Sequence, residues 1–261
     1  MKIVTGCMRS GTSFVCNVLE KLGGDFGSAS ELVSADEWNI KGYFENRKVN
    51  LLNHELLFGR WASSELWVDH MWPKDRRIKL RKLANLVFAP VATRVGTIEK
   101  RTKDNATHIR DLSHDLSGMI VKDPRFSFVL KGWEEYGEVE GVLYCVRHPW
   151  EVAHSISRQT GLPIVLTYLA WRDAVTRFWE NPPKEPVYIV EYNNFFKPDL
   201  MEAEMKTLFA FLGRDFSSGD AADVLDSVLD KNMYSSVAKN KKMPTYINRL
   251  YEDVLARKQQ G

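Results

Sequence analysis

Cysteine is scarce, with three residues in 261, and the odd count sets aside a disulfide framework. Cys7, Cys16 and Cys145 all lie in or beside apolar segments, where a reduced thiol serves as a small core residue. No apolar run approaches the roughly 18 residues that cross a bilayer, so no spanning helix is expected. Nor does an apolar leader stand ahead of the first strand signal, and the expectation is a soluble, cytoplasmic protein. Net charge is nearly absent as well. A balance of +2 at neutral pH gives no general attraction to nucleic acid or to a membrane, so any anion site must be local. No internal repeat or low-complexity linker divides the chain. What is left, 44% hydrophobic and 27% charged residues, is the makeup of an ordinary globular protein. Residues 1–261 read as one domain.

Strand and helix signals alternate along it. Residues 2–6 read as a strand and 11–23 as its helix, with Phe14, Val15, Val18, Leu19 and Leu22 on one side. Residues 46–58 carry Val49, Leu52, Leu56 and Leu57 at helical spacing. Residues 76–103 are basic and read as largely helical, broken near Pro90. Short apolar runs at 118–121, 141–146 and 187–190 read as strands, and Pro149 suits the first position of the helix that follows. Further helices are expected at 163–180, near 199–212 and 220–230, and from about 245. This alternation predicts an α/β fold: a mainly parallel central sheet flanked by helices. Ligands of such sheets gather at the carboxyl ends of the strands. Three strands here end in cationic turns, at Arg9, at Lys122 and Arg125, and at Arg147.

The first of these turns lacks a residue. Gly6-Cys7-Met8-Arg9-Ser10-Gly11-Thr12-Ser13 has the glycine spacing of a P-loop, G-x-x-x-x-G-K-[ST], and Ser13 closes it. Thr12 stands where the nucleotide-triphosphate lysine belongs, and the loop's one cation is Arg9. A strand, a tight polar loop and a helix N-terminus still make a phosphate cradle. A P-loop kinase, the rival class, is disfavoured by the missing lysine and by a strand that ends in Arg147 rather than in an acid for magnesium.

Met8-Arg9-Ser10-Gly11-Thr12-Ser13 resembles the 5′-phosphosulfate loop of sulfotransferases that use 3′-phosphoadenosine-5′-phosphosulfate (PAPS). CVRHPWEVAHSISRQTG resembles their 3′-phosphate motif, in which a strand-end Arg is followed eight residues later by Ser, here Arg147 and Ser155. Gly42-Tyr43-Phe44-Glu45, Lys122-Asp123-Pro124-Arg125 and Tyr192 also recur in bacterial-type members. The likeness runs in order from residue 3 to about 213. It implies a P-loop-like sulfotransferase fold, PAPS as co-substrate, 3′-phosphoadenosine 5′-phosphate (PAP) as product, and no required metal.

The resemblance also implies roles. Arg9, Ser10, Gly11, Thr12 and Ser13 would hold the 5′-phosphate, with Arg9 bracing the bridge to the sulfuryl group. Arg147 and Ser155 would grip the 3′-phosphate, unless Arg147 is spent on a structural ion pair with Glu151. Lys122 would contact the transferring group, and Asp123 with Arg125 would shape the turn. Tyr192 would stack on adenine or else fill the core. Lys241, in the basic run 239–242, would close over the donor phosphates if that run is more than a solvated charge cluster. Cytosolic relatives carry a catalytic His where Pro124 stands, so the base falls to Glu45, with His54 in reserve. Burial beside aromatics is expected to raise the Glu45 pKa. A largely helical insertion at about 58–118, with Trp61, Trp67, His70 and Trp72, would cover the acceptor. That acceptor is a small molecule, a natural-product hydroxyl or a carbohydrate. Nucleic acid and membrane are not expected as partners, and nothing in the sequence sets the oligomeric state. A non-catalytic PAP-binding module is the remaining alternative.

Overall fold

The computed structural model describes residues 1–34, 42–59, 94–229 and 242–259. The expectations for 76–93, the tryptophans and His70 of the proposed acceptor cover, and Lys241 lie outside these residues.

Four parallel strands form the sheet in the order β2-β1-β3-β4: β1 (Lys2–Gly6), β2 (Ile120–Lys122), β3 (Gly141–Val146) and β4 (Val187–Glu191). The middle strands are apolar on both sides because helices cover both faces. Alternate residues divide between two cores. Ile3, Val121, Val142, Tyr144 and Ile189 enter one; Val4, Ile120, Leu143, Cys145 and Val190 enter the other.

The second core is closed by α1 (Thr12–Lys21), α8 (Pro198–Leu212) and α9 (Ser218–Val228). The first core is closed by α2 (Arg47–Phe58), α3 (Val95–Asp104), α4 (Ala106–Asp115), α5 (Phe126–Tyr136), α6 (Pro149–Thr160), α7 (Ile164–Glu180) and α10 (Thr245–Lys258). Pro149 opens α6 as expected, and Gly161 ends it in the left-handed region. α5 was not foreseen, and α4 was expected only as part of the largely helical stretch at about 58–118. None of the described helices is long and apolar enough to cross a membrane.

The order 2-1-3-4 places β1 between β2 and β3, so the chain leaves β1 toward β2 on one side and β3 on the other. A crevice opens at the carboxyl end of the strand where such an order reverses. Register aligns the strand ends: Val4 lies beside Lys122, and Gly6 beside Cys145. The loop after β1 is therefore flanked by Lys122 on one side and Arg147 on the other.

Candidate active site

The loop between β1 and α1 is built on two glycines that nothing else can replace. At Gly6, with φ 147°, an added Cβ would sit 2.4 Å from the Cys145 carbonyl oxygen. At Gly11, with φ 94°, it would sit 2.2 Å from Cδ2 of Tyr192. Arg9 also takes a positive φ of 65°, a conformation that costs a non-glycine residue about 1–2 kcal/mol. Gly11 is the N-cap of α1 and supplies no side chain to its first turn, whose N–H groups have no intrahelical acceptor. Ser10 is 1% exposed, and its hydroxyl has no hydrogen-bond partner among the described residues. A buried donor without a partner beside an uncapped helix start fits an incoming phosphate oxygen.

On the β3 side, Arg147 donates from Nε to Glu151 Oε2 at 2.8 Å and from Nη1 to the Arg9 carbonyl at 3.4 Å. Its guanidinium lies 4.4 Å from the centre of the Tyr192 ring. The Glu151 alternative is thus present, and it is itself braced: Asn193 Nδ2 donates to Glu151 Oε2 at 3.1 Å, and the His148 N–H donates to Asn193 Oδ1 at 3.1 Å. Ser155, expected to share a 3′-phosphate with Arg147, is met by the arginine of the other loop. Arg9 Nε donates to Ser155 Oγ at 3.0 Å. The two phosphate-type motifs therefore touch each other through both arginines of the pair of loops.

Tyr192 is 6% exposed. One ring face carries Arg147, its edge meets Phe14 and Phe196 at 5.5 and 5.1 Å, and Gly11 presses against it. It is packed between the loop and β4, the core position that was the alternative to adenine stacking. Burial pushes its phenol pKa up.

On the β2 side, Lys122 shares the sheet face of Val4 and Ile120, toward α1, and is 2% exposed. Its Nζ lies 2.7 Å from Glu45 Oε1. Glu45 is 8% exposed and reaches the strand end from a loop fixed at both sides. Its carbonyl accepts from the Val33 N–H at 2.8 Å, and the next residue, Asn46, caps α2 through the N–H groups of Lys48 and Val49. Asn50 Nδ2 donates to Glu45 Oε2 at 2.6 Å, and Arg125 stands 3.8 Å from the same oxygen.

The Glu45 pKa runs against expectation. Burial does push it up, but Lys122, then Arg125 and the hydrogen bonds from Lys122 and Asn50, outweigh burial and hold it below the ordinary carboxylate value. The sequence showed the aromatics but not the two cations that fold onto the carboxylate. Asp123, fully buried, has its pKa pushed up by burial despite Arg125. Asp123 and Arg125 pair as expected, with the Arg125 N–H donating to Oδ1 at 2.8 Å and Nη1 3.2 Å away. Asn53 Nδ2 adds a bond to Asp123 Oδ2 at 3.1 Å, while its own oxygen accepts from Trp133 Nε1 at 2.7 Å. His54 is buried on α2, its ring 5.0 Å from that of Phe58.

Lys122 with Glu45, Arg9, Ser10–Ser13, Arg147, Ser155 and Tyr192 thus come to one end of the sheet. Glu151 joins them as the ion-pair partner named for Arg147, and Asn50, Asn53 and Asn193 join them unforeseen. The signal of these three was too weak to read, since single amides are common on any surface. A concavity of about 80 Å³ between α3, α5 and α7, walled by Ile98, Phe126, Phe128 and Phe178, includes none of these residues.

No protein-family model matches the chain, and no curated protein does. Among solved structures it is similar to the sulfotransferase domain from the Synechococcus PCC 7002 olefin synthase. The match covers 98% of this chain and 94% of that one, at 16% identity and a TM-score of 0.50. At that identity the likeness is one of fold: a parallel sheet flanked by helices, in the arrangement of a sulfotransferase domain.

Proposed function

We propose that the protein transfers a sulfuryl group from PAPS to a hydroxyl or amine of a small-molecule or carbohydrate acceptor. The observation that carries this reading is the contact between the two phosphate-type motifs, Arg9 to Ser155 and Arg147 to the Arg9 carbonyl. Two anion grips, side by side on separate loops, match a donor with phosphates at both ends of one nucleoside. The fold likeness to a sulfotransferase domain supports the same reading.

In this reading the loop amides, Ser10, Thr12 and Ser13 hold the 5′-phosphate, and Gly11 lets the backbone approach it. Arg9 braces the bridge to sulfur. Arg cannot give up its proton, so it acts as a fixed charge. Arg147 and Ser155 take the 3′-phosphate, and Lys241 closes over the donor. Lys122 meets the sulfuryl oxygens, where charge grows in the transition state. Glu45 takes the acceptor proton, which is worth typically 10²–10⁴-fold in rate. The whole chain acts as one domain, with 58–118 over the acceptor, and works in the cytoplasm without a metal.

Thermal shift with PAP, PAPS, ATP and ATP with magnesium tests the donor. PAP and PAPS should raise the melting temperature without a divalent ion, and ATP should do so far less. A saturating ligand at a hundredfold excess over Kd adds about 2.7 kcal/mol. Stronger stabilisation by ATP with magnesium would reverse the assignment in favour of a kinase-type phosphotransferase. PAP binding with no turnover of any acceptor would favour the non-catalytic module.

A further inference from the structure

The Lys122–Glu45 pair poses a problem for the chemistry just described. Both residues are wanted by different reactants, the lysine by the donor and the carboxylate by the acceptor. In the structure they are bound to each other at 2.7 Å, both buried. We propose that Lys122 is shared in time: Glu45 holds it in the free protein, and the arriving sulfonate draws it away, so that Glu45 becomes a competent base only when the donor is in place. This rests on the sulfotransferase reading above.

First, separating a buried ion pair leaves an uncompensated charge, which is strongly disfavoured. A sulfonate removes that obstacle, because it offers Lys122 a new anion as the old one is given up. Lys122 is well placed for the exchange: it lies beside Val4 in register, two residues before the loop begins at Gly6, and on the face that α1 covers. Second, Glu45 is not stranded when Lys122 leaves. Asn50 holds Oε2 at 2.6 Å and Arg125 stands 3.8 Å from it. The oxygen released is Oε1, the one bound to Lys122. A carboxylate anchored through one oxygen presents the other in a fixed direction. Third, the remaining surroundings favour proton uptake. Among the described residues, the charged groups that act on Glu45 are Lys122 on β2 and Arg125 in the turn after it, and Glu45 in turn acts on Asp123 in that turn and Cys16 on α1. Of these, Lys122 is the largest influence that lowers the carboxyl pKa, set against burial, which raises it. Removing Lys122 and adding an anion both push the same way.

The balance of the step is simple. The acceptor oxygen bonds to sulfur, and the bond from sulfur to the bridging oxygen breaks with its electron pair leaving on PAP. The acceptor proton goes to Glu45 Oε1, and Lys122 stays with the sulfuryl oxygens. Before the donor arrives, Glu45 is a weak base tied to a cation, so acceptor deprotonation waits for PAPS. Asn50 is a positioning residue in this scheme.

Proton counting tests it without turnover. Calorimetric titration of PAPS is run in two buffers of different ionisation enthalpy at about pH 5.5, just above the ordinary carboxylate range. Wild type is compared with Glu45→Gln and with Lys122→Met. Wild type should take up more protons per PAPS than either variant, by a large fraction of one proton, because only the intact pair can be exchanged. The titration of the donor's own 3′-phosphate is common to all three proteins and cancels in the difference. PAP, which lacks the sulfonate, should show no such difference. Either variant alone suffices if the other does not fold. Equal proton counts for wild type and variant with PAPS would overturn the exchange, as would an equal excess with PAP. Failure of both PAP and PAPS to bind the wild type would instead overturn the sulfotransferase reading itself.

Discussion

Replacing Gly11 by Ala separates two costs that the structure places at one atom. The first is backbone strain: φ is 94°, and a side chain in that region costs about 1–2 kcal/mol. The second is overlap. The new Cβ would lie 2.2 Å from Cδ2 and 2.7 Å from Cγ of Tyr192, and forcing an extra carbon into a packed site costs about 1–3 kcal/mol. Tyr192 cannot swing away freely, because Phe14, Phe196 and the Arg147 guanidinium hold its ring. The sum is about 2–5 kcal/mol. For a chain of 261 residues that lowers the melting temperature by roughly 4–10 °C. A double-mutant cycle divides the sum. Tyr192→Leu is destabilising alone, but it removes the ring that the Cβ meets. Gly11→Ala should therefore cost less in the Tyr192→Leu background, and the difference is the overlap; the strain persists in both. Urea unfolding of the four proteins supplies the free energies. A Gly11→Ala protein that melts within a degree of wild type would refute the loop geometry. Equal costs in the two backgrounds would refute the Tyr192 contact.

Arg147→Ala leaves Glu151 buried without its cation, which typically costs 3–5 kcal/mol; adding Glu151→Gln should recover most of that stability yet leave PAP affinity low. If stability and PAP affinity return together, Arg147 is structural and the 3′-phosphate reading fails. Glu45, held below the ordinary carboxylate pKa by Lys122 and Arg125 against burial, contributes stability that is present above the unfolded value of about 4.3 and is lost as pH falls through the lower folded value. Melting curves between about pH 3 and 7 should therefore be flatter on the acid side for Glu45→Gln. Asp123, pushed up by burial, has the opposite sign, so Asp123→Asn should steepen that limb.

The strands and most helices were legible because each carries its own period. β3 is six buried residues between Gly141 and Val146, and α2 repeats its apolar face from Val49 to Leu57. α5 escaped because Gly132 sits inside it, where a glycine reads as a break. The reason for that glycine is tertiary: a Cβ there would lie 2.1 Å from Thr102 Cγ2 on α3. α4 shows only Ile109, Leu112 and Ser113 as its buried set, too thin a stripe to read. β2 was placed at 118–121 but spans Ile120–Lys122, since Gly118, with φ 77°, belongs to the turn. That shift moves Lys122 from the turn into the strand and fixes which face it uses.

The site was legible as two loops but not as a set of pairs. Glu45 and Lys122 are 77 residues apart, and Arg9 and Ser155 are 146 apart. No local spacing encodes such contacts. The pairs have a consequence that the loops alone do not. Lys122 faces Glu45, Arg125 faces Asp123, and Arg147 faces Glu151. Among the described residues, at least three of the cations gathered at the strand ends are compensated by buried carboxylates. A pocket of bare positive charge would attract any anion through long-range field. A pocket of paired charge presents little field and admits an anion only where the pair can open toward it. The weak overall charge of the chain and the paired site follow the same logic: on the proposed reading, recognition of the donor depends on where hydrogen-bonding groups stand, and so on the backbone geometry that Gly6 and Gly11 make possible.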